Sequence, residues 1–182
     1  MHVSLDGFVA GINGEMDWIH VDEEIFDYAG ERIKTSDTAL YGRVTFDLME
    51  SYWPTAAEKP NPSRHDLEHS AWYKKVKKVV LSRTIQSRPG VDVVNNNLEK
   101  NIRSIKEKEG GEIIIFGSPS AVHSLMRLRL VDEIWAFVNP VLLGKGTPYF
   151  SGIPVKESLE LEHSHTFPSG VVCLHYKLTG KN

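Results

Sequence analysis

Two short apolar runs, Val79-Val80-Leu81 and Ile113-Ile114-Ile115-Phe116, break off abruptly into a hydroxyl or glycine residue, Ser82 and Gly117. Runs this short and this apolar suit strands buried on both faces, as in parallel sheets. Helical patterns lie between such runs. Val21, Ile25, Ala29 and Ile33 recur every four residues, with acids early and Arg32 and Lys34 late, as the helix dipole favours. Strands are expected at 2–5, 38–41, 78–82, 91–94, 112–116 and 133–138. Helices are expected at 21–34, 44–50, 63–75, 97–109 and 118–129, with Ser63, Asn97 and Pro119 as start signals. Residues 6–16 carry Gly7, Gly11 and Gly14 and read as a loop. Residues 158–165 and 170–178 read as a closing antiparallel pair joined by Phe167-Pro168-Ser169. Alternating strands and helices give an α/β class with a largely parallel sheet covered on both faces.

At 182 residues, 41% hydrophobic and 25% charged, the chain suits one globular domain spanning 1–182. A net charge of −3 lacks the basic footprint that nucleic-acid binding needs. The run Lys74-Lys75-Val76-Lys77-Lys78 is short and reads as a solvated helix end. Cys173, the one cysteine, excludes an internal disulfide and lies in the apolar run 171–174, so an inert buried thiol is expected. No apolar stretch approaches the roughly 20 residues of a bilayer span. Acidic and glycine residues stand where a secretory leader needs an apolar core, so a cytoplasmic location is expected.

Ligands of such sheets bind beyond the carboxyl ends of the strands, and three strand-to-helix junctions stand out there. Gly42-Arg43-Val44-Thr45 offers close backbone approach, free N–H groups, a guanidinium and a hydroxyl. Ser82-Arg83-Thr84 ends a strand in donors suited to a phosphomonoester. Gly117-Ser118-Pro119-Ser120 joins a strand to a helix start, the geometry that takes a pyrophosphate. The Rossmann fingerprint and the phosphate-loop lysine motif are both missing from the sequence. Taken together, the three junctions point to an extended ligand with several phosphates, such as a dinucleotide.

These junctions belong to a wider pattern: Ser4-Leu5-Asp6-Gly7-Phe8-Val9-Ala10, Asp17-Trp18, Gly42-Arg43-Val44-Thr45-Phe46, Leu81-Ser82-Arg83, Phe116-Gly117-Ser118-Pro119-Ser120, Val131-Asp132-Glu133-Ile134 and the stretch 140–150. It resembles the dihydrofolate reductase superfamily over nearly the whole chain. It is most similar to the branch holding the reductase domain of the bifunctional riboflavin-biosynthesis deaminase-reductase. The resemblance implies a three-layer dihydrofolate-reductase-like fold, with a mostly parallel central sheet, antiparallel C-terminal strands and helices on both faces. It also implies a homodimer, a small-molecule substrate and an NADPH site. In that site Gly42, Arg43 and Thr45 meet phosphates, and Ser82 and Arg83 face the adenosine 2′-phosphate. Gly117, Ser118, Pro119 and Ser120 hold the pyrophosphate, and the backbone of Val9 and Ala10 lies along the nicotinamide. Asp6 and Trp18 border the substrate.

The sequence departs from the family in places. Only Met1, His2 and Val3 precede Ser4, where the family has a longer first strand. Gly117-Ser118 stands where dihydrofolate reductases carry consecutive glycines. Glu23, Glu24 and Asp27 read as the solvated face of their helix and not as a pteridine anchor, which argues against dihydrofolate itself. Asp6, the acid of the motif-bearing loop, reads equally as a substrate contact or proton relay and as a turn cap. The implied activity is reduction of a small pterin- or pyrimidine-like heterocycle by NADPH, similar to 5-amino-6-(5-phosphoribosylamino)uracil reductase or dihydrofolate reductase. The alternative is a non-catalytic dinucleotide- or pterin/flavin-binding protein on the same fold.

A metal centre is the remaining rival. His65 and His69 share one helical face, but Asp66 stands where a zinc protease needs its glutamate and no third ligand is evident. The pair reads as part of a solvated helix. His163 and His165 read as surface residues of an edge strand, so no metal is expected.

Overall fold

Short strands buried on both faces are what the apolar runs become. The computed structural model describes residues 1–152 and 156–180. The chain runs through β1 (His2–Ser4), β2 (Phe8–Ala10), α1 (Glu23–Lys34), β3 (Ser36–Gly42), α2 (Arg43–Tyr52), α3 (Arg64–Lys75), β4 (Lys77–Leu81) and β5 (Val91–Val94). It continues through α4 (Leu98–Lys106), β6 (Glu112–Ile115), α5 (Pro119–Arg127), β7 (Glu133–Asn139), β8 (Thr147–Pro148), β9 (Leu159–Thr166) and β10 (Val172–Leu178). Its contacts gather into two compact units, residues 22–118 and residues 1–21 with 119–182.

In the first of these units the strands form one sheet in the order β5-β4-β3-β6. Every pairing in it is parallel, so all four carboxyl ends lie along one edge. Leu40 of β3 sits between Val79 of β4 and Ile115 of β6. Tyr41, Val80 and Ala39 are fully buried and pack with Phe46, Tyr73 and Val76. Helix α1 starts where the Asp22 carboxylate accepts the Ile25 N–H at 2.9 Å. That cap moves the start past Val21, which is exposed. Helix α3 starts in a capping box: Ser63 accepts the Asp66 N–H at 3.0 Å, and Asp66 accepts the Ser63 N–H at 3.0 Å. Reciprocal capping of this kind satisfies two orphan donors at once.

In the other unit the order is β1-β7-β10-β9. β1 pairs parallel with β7, and the remaining pairings are antiparallel with a bulge at His175/Tyr176. Although β1 has three residues, it is firmly held. The Met1 ammonium donates to the Trp135 carbonyl at 2.8 Å. Asn139, with no exposure at all, uses its amide to bond the carbonyls of Phe137 at 3.0 Å and Val3 at 3.4 Å and the His2 ring at 3.2 Å. Its own side-chain oxygen accepts the His20 N–H at 2.9 Å. Cys173 is buried on β10.

Three expectations need correcting. The 6–16 loop contains β2, which pairs with β8; strands of three and two residues among glycines are too short to show a period. The basic run is not one solvated helix end. It splits between α3 and β4, and Lys77 pairs with Asp92 at 2.9 Å. The α3 histidines do not lie on a solvated face either. His69 is only 7% exposed, and the Phe26 ring stacks on His65 at 3.8 Å. Glu23, Glu24 and Asp27 are exposed as read. No helix among the described residues is long and apolar enough to cross a membrane.

Asn139→Ala deletes this whole set of bonds and leaves buried partners unpaired. Each unmade bond costs about 1–3 kcal/mol, so urea unfolding is expected to show a loss of about 2–4 kcal/mol, well above the cost of a surface substitution.

Candidate functional site

The parallel sheet sets the site in the unit formed by residues 22–118. From β3 the chain steps outward to β4 and β5, then returns to β6 on the opposite side of β3. The change of direction falls between β3 and β6, the switch point where open α/β sheets leave a crevice for ligands. Gly42 ends β3 there, and Gly117 and Ser118 follow β6.

Two hydrogen bonds stitch those junctions together. The Gly42 N–H donates to Ser118 Oγ at 2.8 Å. Thr45 Oγ1 donates to the Gly117 carbonyl at 2.8 Å. Both hydroxyl residues are buried, Ser118 at 2% exposure and Thr45 at 8%. Gly117 takes a φ of +50°, a left-handed conformation costly for residues with a Cβ. The Thr45 proton is therefore spent on the Gly117 carbonyl, whereas Ser118 Oγ accepts from Gly42 and keeps its own proton to donate. What stays open is the start of α2, which has no side-chain cap. Val44, in its first turn, is 63% exposed. The Arg43 guanidinium rests on Asp47 at 3.0 Å, an exposed helical pair worth about 0.3–0.5 kcal/mol and easily exchanged for a stronger anion.

One strand further along the same edge, Ser82 Oγ accepts the N–H groups of Thr84 and Ile85, each at 3.1 Å. This hydroxyl turn fixes the backbone on both sides of Arg83. The Arg83 side chain is exposed, and no described residue pairs with it. Strands are spaced about 4.8 Å apart, so the junctions after β4, β3 and β6 span roughly 10 Å. The structure thus brings Gly42, Arg43, Thr45, Gly117 and Ser118 together, with Ser82 and Arg83 just past the end of the neighbouring strand β4. Pro119 opens α5, and the Ser120 carbonyl accepts from Ser124 Oγ at 2.9 Å.

In the other unit Asp6 is a bracket. One carboxylate oxygen accepts from Ser4 Oγ at 2.6 Å and the Leu143 N–H at 3.1 Å; the other accepts the Gly144 N–H at 2.7 Å. The Ser4 hydroxyl, with the Gly144 and Leu143 amides, holds the Asp6 carboxyl below the usual aspartate range. Both carboxylate oxygens are thereby occupied by this turn, the geometry of the turn-holding reading of Asp6. Val9 is buried in β2. The Ala10 carbonyl lies so close to Gly146 that a Cβ there would stand 2.1 Å from it, so only glycine fits. Trp18 donates its indole N–H to the Glu15 carbonyl at 3.1 Å. Leu5 and Tyr149 complete the bracket, with Leu5 N–H to the Val141 carbonyl and Tyr149 N–H to the Gly7 carbonyl. The motifs at 4–10 and 140–150 are therefore one substructure. Ser4 opens the 4–10 motif but carried no role in the sequence reading, and Asn139 sits in no motif; both are buried.

Known proteins fit this architecture. Dihydrofolate reductase from Enterococcus faecalis, solved with NADP(H) and RAB-propyl, aligns with a TM-score of 0.62 and 18% identity, covering 98% of this chain and 93% of that one. A putative riboflavin biosynthesis protein from Shewanella sp. PV-4 aligns with a TM-score of 0.74 and 23% identity, covering 98% and 96%. The fold is therefore dihydrofolate-reductase-like. The family model of the RibD C-terminal domain matches residues 1–173, and the chain belongs to that family. A relative, "Uncharacterized protein YyaP" of Bacillus subtilis (strain 168), is 34% identical over 98% of this chain and 92% of its own. Family and fold neighbours together support a reductase-type role.

Ser118→Ala orphans the buried Gly42 N–H and is expected to cost about 1–3 kcal/mol in urea unfolding. The Asp6 bracket predicts a pH effect. Because its folded pKa is depressed, the contact is intact above the ordinary aspartate range and lost as pH falls through the folded value. The Leu143 and Gly144 amide resonances should therefore titrate together below that range, and Asp6→Asn should abolish the titration.

Proposed function

We propose that this protein is an NADPH-dependent reductase of a small pterin- or pyrimidine-like heterocycle. The observation that carries the reading is the row of three junctions on one parallel carboxyl edge, with an uncapped helix start and an Arg83 that pairs with none of the described residues. These groups fit a dinucleotide. The α2 N–H groups and Arg43 would hold phosphate oxygens, and the positive end of the helix dipole adds to that attraction. Arg83 would take the 2′-phosphate as a charge-assisted fork. Ser82 would set the turn that presents it, while Thr45 and Ser118 would hold the two junctions in register. The nicotinamide supplies the hydride. Val9, Ala10, Asp6 and Trp18 remain the residues that the resemblance nominates for the nicotinamide and substrate, with Asp6 acting by fixing backbone and not by proton transfer. A homodimer, expected from the family likeness, completes the reading.

One observation favours the second reading, a non-catalytic dinucleotide or pterin/flavin binder. Asp6, the acid of the motif-bearing loop, is tied up as an anion. Calorimetric titration with NADPH and NADH, followed by a substrate panel, separates the two. A reductase oxidises NADPH with at least one pterin or pyrimidine; a binder takes up NADPH and oxidises it with none. Arg83→Ala is expected to weaken NADPH about 10- to 100-fold, the worth of a charge-assisted bond, with little change for NADH. Equal losses for both cofactors would remove Arg83 from the 2′-phosphate site.

A further inference from the structure

The α3 histidines take no part in the proposed function, and their surroundings are unusual. His69 is 7% exposed, and neither ring nitrogen has a hydrogen-bond partner among the described residues. The Trp53 ring lies 3.9 Å away at 32°, the Trp72 ring 5.2 Å away and the Phe116 ring 5.9 Å away. The last neighbour is His65, one helical turn before it, with ring centres 5.3 Å apart. A buried imidazole without partners loses the hydrogen bonds that water gave it and keeps a lone pair pointing at nothing polar. A Lewis acid relieves that deficit.

We propose that His65 and His69 bind a single late first-row transition ion of the kind imidazole ligates, such as Zn(II) or Co(II). Geometry agrees. Metal–nitrogen bonds of about 2.0–2.1 Å put an in-plane ion about 3.2 Å from each ring centre. With one nitrogen of each ring turned to a shared ion, the 5.3 Å separation of the ring centres corresponds to an N–metal–N angle of about 110°, close to the tetrahedral value preferred by zinc. Asp66, Glu68 and Asp27 act electrostatically on His65 and favour a cation there. The half-buried His65 supplies the open side, where water completes the coordination. Among the described residues no group of three or more His, Cys, Asp or Glu side chains is arranged for a metal, so the site rests on this pair with water.

The test uses untagged full-length protein, stripped by chelation and titrated with Co(II) and then Zn(II). One equivalent of cobalt should give the visible bands of a tetrahedral site, zinc should displace it, and the Trp53 and Trp72 emission should change in step. His69→Gln should remove the bands. His65→Gln sits at a half-exposed position, reports even if the buried variant fails to fold, and should weaken binding about tenfold or more. A paired substitution on β9, His163→Gln with His165→Gln, should leave the spectrum unchanged. Absence of tetrahedral bands, or bands that survive His65→Gln, or bands that vanish with the β9 pair, would overturn the proposal.

Discussion

The pair of bonds between Gly42 and Ser118 and between Thr45 and Gly117 sets the geometry of the candidate site. Each is 2.8 Å long and joins a buried hydroxyl to the backbone of the facing junction. A parallel sheet fixes only the spacing of its strands. The turns that leave its edge are free to splay unless something ties them. Here the tie uses side chains at the N3 position of one helix and just before the start of another. It holds the start of α2 in place with no side-chain cap on its first turn. The N–H donors of that turn keep their dipole-enhanced attraction for an anion because no side chain among the described residues caps them.

The other unit repeats the logic with a charged group. Asp6 binds Ser4 and the Leu143 and Gly144 amides, while Gly146 lets the backbone close against Ala10. Two sequence motifs more than 130 residues apart thereby become one rigid turn system. The carboxylate gains from several donors at an exposed position, so its value is orientation of backbone more than stability.

Much of the fold was legible in the sequence because its signals are local. Apolar runs at 79–81 and 113–116 became β4 and β6; the Ser63 start signal became a capping box with Asp66. β2 and β8 were not legible, since strands of three and two residues have no period to read. The junctions of the site were legible as glycine, arginine and hydroxyl at strand ends. Their internal wiring was not. Whether Thr45 meets a ligand or the Gly117 carbonyl depends on a partner 72 residues away, which no local pattern encodes. The α3 histidines show the same limit. Their spacing placed them on one helical face, but only packing against Trp53, Trp72 and Phe26 decides that this face is turned inward.

The central claim is that the carboxyl edge of the parallel sheet receives the phosphates of a nicotinamide dinucleotide. Amide chemical-shift mapping of the folded protein on addition of NADPH tests it most directly. The account predicts that the amides of Arg43, Val44, Thr45 and Arg83 shift together and saturate along one binding curve. Saturating NADPH that leaves those four amides unmoved would contradict it.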